Sequence, residues 1–263
     1  MRLAAAGVVC ALALLAAGCG STPKDLNTTA ATEALYRDAK DDIANGSYER
    51  AIKSLERVEG RAAGTLLAQQ AQLDLAYVYW KTAERAQALA TIDRFIRLHP
   101  SSPAFDYALY LRGAINFNDN LGILGNLAGQ DLAERDQQAS RDAYQSFKQL
   151  SEQFPQSKYT PDARLRMDYI VNSLAAHEVH VARYYFRRGA YVAAANRAQR
   201  SVQEFTQTPS AEEALYLMVA SYDRLGLEPL RDDAQRVLLK NFPDSRYLGG
   251  GLRERSRRWW QLW

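Results

Sequence analysis

Three histidines, His99, His177 and His180, and two cysteines, Cys10 and Cys19, are the residues of this 263-residue chain whose types most readily do chemistry. His177 and His180 stand three apart, so a helix puts them on one face. Glu178 points elsewhere, and no cysteine or second carboxylate completes a metal-ligand set. A glycine-rich phosphate loop, a Gly-x-Ser-x-Gly elbow and a paired-carboxylate cleft are all missing from the sequence. The expectation is a protein with no catalytic residue and no metal site, hence not an enzyme.

What remains is a chemistry of contact. Gln70, Leu73, Tyr77, Trp80 and Lys81 recur at helical spacing and set aromatic rings beside amide and ammonium groups. Such a surface suits an extended peptide that carries an aromatic residue and a carboxylate; the alternative is that Tyr77 and Trp80 pack between helices. Arg183, Arg187, Arg188 and Arg197 concentrate positive charge around one helix pair. Their guanidinium groups make bidentate contacts with carboxylates, either on a docking partner or within the chain.

The amino-terminal segment has one basic residue, Arg2, then a small and apolar run over residues 3–17, then Gly18-Cys19-Gly20. This is the pattern of an export signal, and the run falls short of the roughly 20 residues that span a bilayer. The string Leu15-Ala16-Ala17-Gly18-Cys19 resembles the lipobox of bacterial lipoproteins. That resemblance implies cleavage between Gly18 and Cys19, S-diacylglycerol on the Cys19 thiol and an N-acyl chain on the new terminus, with no other cofactor. An ordinary signal with an accidental cysteine is the alternative. By resemblance to sorted lipoproteins, Gly20 after the cysteine, rather than aspartate, implies delivery to the outer membrane. Because Cys10 lies in the cleaved part, no disulfide is possible in the mature chain, and stability must come from packing. A formal charge of +3, much of it from Arg253, Arg255, Arg257 and Arg258, gives no basic folded face, so no nucleic-acid partner is expected.

The elements that must position these residues are helices. Ala, Leu, Gln, Arg and Glu dominate, and alternating β-branched runs closed by Asn-Gly or Asp-Gly are missing. Gly46-Ser47-Tyr48-Glu49-Arg50-Ala51 and Gly189-Ala190-Tyr191-Val192-Ala193-Ala194 place Gly, aromatic and Ala at the same offsets, as in TPR motifs. Second helices align as Ala51, Leu55, Val58; Ala88, Ile92, Phe95; Ala143, Phe147, Leu150; and Ala194, Ala198, Ser201, all on one helical face. The hairpins close on Pro100, Pro155 and Pro243.

The expected architecture is all-α, a TPR-like α-solenoid of about five helix-turn-helix repeats. Its parts are a lipoprotein signal peptide (1–18), a lipidated tether (19–31), an N-terminal repeat group (32–159) with a glycine-containing insertion (118–140), a bridging helix with a C-terminal repeat group (160–247), and a basic, aromatic tail (248–263). The bridging helix has a possible break near Ala176. Leu121, Ile123, Leu124 and Leu127 of the insertion either tuck in locally or meet a partner. In the tail, Trp259, Trp260 and Trp263 suit an interfacial membrane contact, with a disordered or partner-binding tail as alternatives.

Longer strings are more specific than the repeat. Gln72-Leu73-Asp74-Leu75-Ala76-Tyr77, the run from Ala90-Thr91-Ile92-Asp93-Arg94-Phe95 to Pro100, and Arg188-Gly189-Ala190-Tyr191-Val192-Ala193 through Asn196-Arg197 resemble the BamD family of the β-barrel assembly (Bam) complex. The resemblance implies a scaffold on the inner leaflet of the outer membrane, facing the periplasm. It implies N-terminal repeats that receive unfolded β-barrel precursors, and C-terminal repeats that hold the barrel-bearing subunit through a periplasmic POTRA-type domain, with accessory Bam lipoproteins. The insertion and the tail depart from the family pattern. A periplasmic TPR adaptor for peptidoglycan or cell-division enzymes is the competing reading. Palmitate labelling in the native host should mark the parent chain and be abolished by Cys19→Ser; an unlabelled parent chain would refute the lipid anchor.

Overall fold

The computed structural model describes residues 28–117 and 137–247, which hold ten helices and no strand. They are α1 Thr29–Ala44, α2 Tyr48–Arg61, α3 Leu66–Lys81, α4 Arg85–Leu98, α5 Phe105–Asn116, α6 Gln137–Gln153, α7 Thr160–Arg187, α8 Tyr191–Glu204, α9 Ser210–Arg224 and α10 Glu228–Asn241. In chain order they read as five helix pairs, four of them joined by short turns among the described residues, the all-α, TPR-like arrangement expected. Gly18 and Cys19, residues 118–136 of the insertion and the 248–263 tail lie outside the described residues.

Local chemistry sets the helix ends. The Thr28 hydroxyl oxygen accepts the Ala31 N–H at 3.2 Å and caps α1. Residues 29–31, expected in the tether, are therefore the first turn of a helix. Likewise residues 137–140, expected in the insertion, open α6. Pro161 and Pro229 sit in the first turns of α7 and α10, where a missing N–H costs nothing.

Three hairpin turns share one device. Gly46, Gly189 and Gly226 take the left-handed conformation at φ +71°, +77° and +69°. The next N–H then reaches back to a carbonyl five residues earlier: Ser47 to Asp42 at 2.7 Å, Ala190 to Tyr185 at 3.0 Å, Leu227 to Tyr222 at 2.9 Å. In the second hairpin Ala83 holds the same conformation at φ +64°, and Glu84 N–H bonds Tyr79 O at 2.8 Å. An alanine there costs about 1 kcal/mol, so the turn is imposed by the helices that flank it. A search for glycine cannot find this hairpin.

All twelve second-helix residues named from the sequence are fully buried. In the first compact unit, Met1–Phe95, the core joins Ala39 of α1, Ala51, Leu55 and Val58 of α2, and Ala71, Leu75 and Val78 of α3. In the second, Ile96–Trp263, Leu109 of α5, Phe147 and Leu150 of α6 and Ile170 and Leu174 of α7 share one core. A smaller cluster joins Val179 and Ala182 of α7, Ala198 of α8, and Ala214 and Leu217 of α9.

The expected boundary between repeat groups, at 159/160, does not coincide with a break in the core. Phe147, Leu150, Ile170 and Leu174 belong to one core that runs across it, and compactness divides the chain inside α4 instead. The 28-residue α7 is also unbroken at Ala176, because its buried face continues from Leu174 and Ala175 to Glu178 and Val179.

A close approach is made at Gly113 of α5. A Cβ there would lie 2.6 Å from Cδ1 and 2.8 Å from Cζ of Phe147, whose ring is fully buried. Gly113→Ala should lower stability by about 1–3 kcal/mol through overpacking, read as a lower urea midpoint at unchanged slope. An unchanged midpoint would contradict that packing.

Candidate functional site

On α3 the residues picked out from the sequence separate into two groups. Tyr77 and Trp80 meet edge to face, centroids 6.1 Å apart at 68°. Lys81 Nζ lies 5.8 Å from the Tyr77 ring centroid and 5.6 Å from that of Trp80, within cation–π range. Gln70 is exposed two to three turns away on the same helix. Leu73 is only 5% exposed; it is core, too covered to offer a contact surface. Tyr77 is partly buried against the first core, so it packs and presents an edge at once.

Asp74 of α3 fixes this helix against α1. The Tyr36 hydroxyl donates to its carboxylate at 2.7 Å and Lys40 Nζ at 2.9 Å. Burial first, then the bond to Asp74, push the Tyr36 phenol well above its ordinary value. Tyr79 donates to Glu56 of α2 at 3.0 Å and is pushed up to about 12, again by burial first and then by that bond.

The four arginines do not form one free patch. Arg183 of α7 is paired with Glu213 of α9, Nε to Oε1 at 2.7 Å. Arg197 of α8 reaches Glu178 of α7 at 3.2 Å, and Arg200 stands 3.8 Å from the same carboxylate, whose side chain is 3% exposed. A buried carboxylate is costly without cationic partners, so Arg183 and Arg197 hold helices together. Arg187 and Arg188 are exposed, and the Arg188 guanidinium lies 5.6 Å from the centroid of the exposed Tyr184 ring. Sequence reasoning passed over Glu178 as a packing residue. Its signal was present, because Leu174, Ala175, Glu178, Val179 and Ala182 repeat on one face. Among the described residues no group of three or more His, Cys, Asp or Glu side chains is placed to hold a metal ion.

Two further features went unread in the sequence. Between α7, α9 and α10 lies a cavity of about 670 Å³ walled by Phe186, Val219, Leu238 and the stacked pair Tyr216 and Tyr247, with Arg224 among its polar lining. Along α5 and the start of α7 runs a row of rings. Tyr107 and Tyr110 each pack on Tyr159, at 5.3 and 5.0 Å, and Phe117 meets Tyr169 edge to face at 5.8 Å. Tyr107 and Tyr110 are three apart and Asp162, Arg166 and Tyr169 are spaced four and three, so helical periodicity could have grouped each set. Nothing local could have joined the two sets.

Because Glu178 stays buried when its partner is changed, Arg197→Glu should do more than disturb docking. The reversal leaves two facing carboxylates and should cost about 2–4 kcal/mol, whereas Arg188→Ala should leave the thermal midpoint within about a degree. Equal midpoints for the two variants would refute the stapling role of Arg197.

Residues 28–238 match the family model described as outer membrane lipoprotein, YfiO. The chain is 45% identical over 246 residues to outer membrane protein assembly factor BamD of Neisseria meningitidis serogroup B, covering 93% of this chain and 92% of that one. It is 35% identical over 231 residues to BamD of Haemophilus influenzae, covering 88% of each. Among solved structures it is similar to the crystal structure of MamA protein, at 15% identity and a TM-score of 0.34, over 84% of this chain and 97% of that one. With its five hairpins and a family match across nearly all the described residues, the chain belongs to the BamD family of outer membrane lipoproteins.

Proposed function

We propose that this chain is a non-catalytic scaffold for assembling β-barrel proteins at the outer membrane. Its N-terminal hairpins receive unfolded barrel precursors, and its C-terminal hairpins dock the barrel-bearing Bam subunit and accessory Bam lipoproteins. The likeness to relatives named outer membrane protein assembly factor supports the assembly role. The observation that carries the precursor-binding part is the Tyr77, Trp80 and Lys81 cluster, where two ring edges and an ammonium group converge. An aromatic residue of a peptide packs on such rings while a carboxylate pairs with the ammonium.

Membrane attachment falls to the lipid. No helix among the described residues is long and apolar enough to cross a bilayer, and three acyl chains on Cys19 exceed the single chain that binds only marginally. The folded part then stands at the inner leaflet, facing the periplasm. Docking of the barrel-bearing subunit falls to Arg187, Arg188 and Tyr184, the exposed cations and ring of the C-terminal half.

The test is an anisotropy titration of a labelled barrel-strand peptide that ends in an aromatic residue and a free carboxylate. Tyr77→Ala with Trp80→Ala should weaken binding roughly tenfold, about 1.4 kcal/mol, at unchanged helical circular dichroism. Unchanged affinity in a folded variant would overturn the assignment. Co-purification in which murein synthases or divisome proteins outweigh Bam subunits would overturn the assembly role in favour of a peptidoglycan or cell-division adaptor.

A further inference from the structure

Two turns in the second unit are built alike. Phe154-Pro155-Gln156-Ser157-Lys158-Tyr159 follows α6, and Phe242-Pro243-Asp244-Ser245-Arg246-Tyr247 follows α10. In each, the Phe N–H donates to a leucine carbonyl at 2.8 Å, that of Leu150 or of Leu238, and both leucines are buried. The Ser N–H then donates to the Phe carbonyl, at 3.0 and 3.1 Å, and the Tyr N–H to the Ser hydroxyl oxygen, at 3.3 Å in both. Each tyrosine stacks on a ring of the first helix of that pair: Tyr159 on Tyr110 of α5, centroids 5.0 Å apart at 22°, and Tyr247 on Tyr216 of α9, 5.0 Å apart at 18°. A cation flanks both stacks, with Lys158 Nζ 5.0 Å from the Tyr159 centroid and the Arg246 guanidinium 4.8 Å from that of Tyr247.

The first of these turns hands the chain to α7, which covers the pair before it. Ala163, Ile170 and Leu174 of α7 join Leu109, Phe147 and Leu150 in one core, and Asp162 accepts from the Tyr110 hydroxyl at 2.7 Å. In the same way α9 covers α7 and α8, through Ala214 and Leu217. The counterparts of Tyr110, Leu150 and Tyr159 are Tyr216, Leu238 and Tyr247, and all three wall the cavity of about 670 Å³ beside α9 and α10. That cavity thus occupies, on the last pair, the place that α7 takes on the pair of α5 and α6.

The residues after Tyr247 have the pattern of a cover. At helical spacing Leu252, Ser256, Trp259, Trp260 and Trp263 fall within one stripe about 100° wide, and Arg253, Arg255, Arg257 and Arg258 fall outside it. Aligned on the two phenylalanines, Gly249, Gly250 and Gly251 stand where α7 has its first turn. Glycine disfavours a helix there by about 1 kcal/mol per residue, so the stripe starts one turn later, behind a pliant joint. The cavity wall is mixed, with Asp223 and Gln235 beside the rings of Phe186, Tyr216 and Tyr247. Tryptophan, a broad ring system with a single N–H donor, fits such a wall better than an aliphatic side chain does.

We propose that residues 252–263 of this chain fold back as a cap on the cavity beside α9 and α10, with tryptophan rings against Tyr216 and Tyr247. The glycine joint makes the cap detachable, and while seated it withholds its tryptophans from the bilayer.

The test places a photo-crosslinker at position 260 of the full lipidated chain, in detergent and again in vesicles of phosphatidylethanolamine and phosphatidylglycerol. In both, the product should be a crosslink within one chain to α9 or α10, located by mass spectrometry of proteolytic fragments. Val219→Arg, at the cavity wall, should lower that product roughly tenfold at unchanged helical circular dichroism. If that variant fails to fold, Trp259→Ala with Trp263→Ala, which leaves the folded part untouched, should give a loss of the same size. Capture of lipid in place of α9 and α10 would assign the tail to the membrane, and a product of twice the mass would assign it to a second copy of the chain. Either result, or a crosslink to α9 or α10 that neither variant weakens, would overturn the proposal.

Discussion

A single helix pair of about 34 residues has an apolar face that it cannot cover by itself. Everything else in this chain follows from how that face is covered by neighbours. Alanine at the first stripe position lets two helices approach, and a larger residue four later fills the space beyond: Leu55 after Ala51, Ile92 after Ala88, Phe147 after Ala143. At Gly113 of α5 even an alanine would be too large, because its Cβ would fall against the Phe147 ring. The fourth hairpin keeps the scheme with less volume, using Ala194, Ala198 and Ser201. With no cysteine among the described residues and no metal cluster there, this interdigitation carries the stability.

Charge is used in the same economical way. Glu178 and Glu213 are drawn in between helices and met by Arg197 and Arg183, while Asp74 and Asp162 each gather a tyrosine hydroxyl and a cation. Pairs of this kind contribute modest net stability, but removing one member strands the other. Each of them links two helices. One consequence is that a cation count along the sequence overstates how much positive surface remains for a partner.

Several partly exposed rings have a cation beside them: Tyr77 and Trp80 with Lys81, Tyr159 with Lys158, Tyr184 with Arg188. Rings lose little side-chain entropy on binding and accept many partners, and a neighbouring cation adds preference for acidic ends without fixing a sequence. On the proposed reading, a scaffold that receives many unfolded chains of one chemical type would use that combination. The tyrosines pushed upward, Tyr36 and Tyr79, serve as structural donors.

Periodicity alone determined the helices, the five-hairpin plan, the buried stripes and the Gly46 and Gly189 turns, because each depends on residues within a turn or two of one another. The same short-range logic grouped Tyr77, Trp80 and Lys81 on one face. Tertiary structure decided what depends on helices distant in sequence. It buried Leu73, set Arg197 against Glu178 across nineteen positions, placed the division inside α4, and brought Tyr110 to Asp162 across fifty-two. A charge or a ring on a helix surface has the same local signature whether it meets water, a partner or the next hairpin. Only the packed neighbour, through the desolvation it imposes and the hydrogen bonds it supplies, separates those three fates.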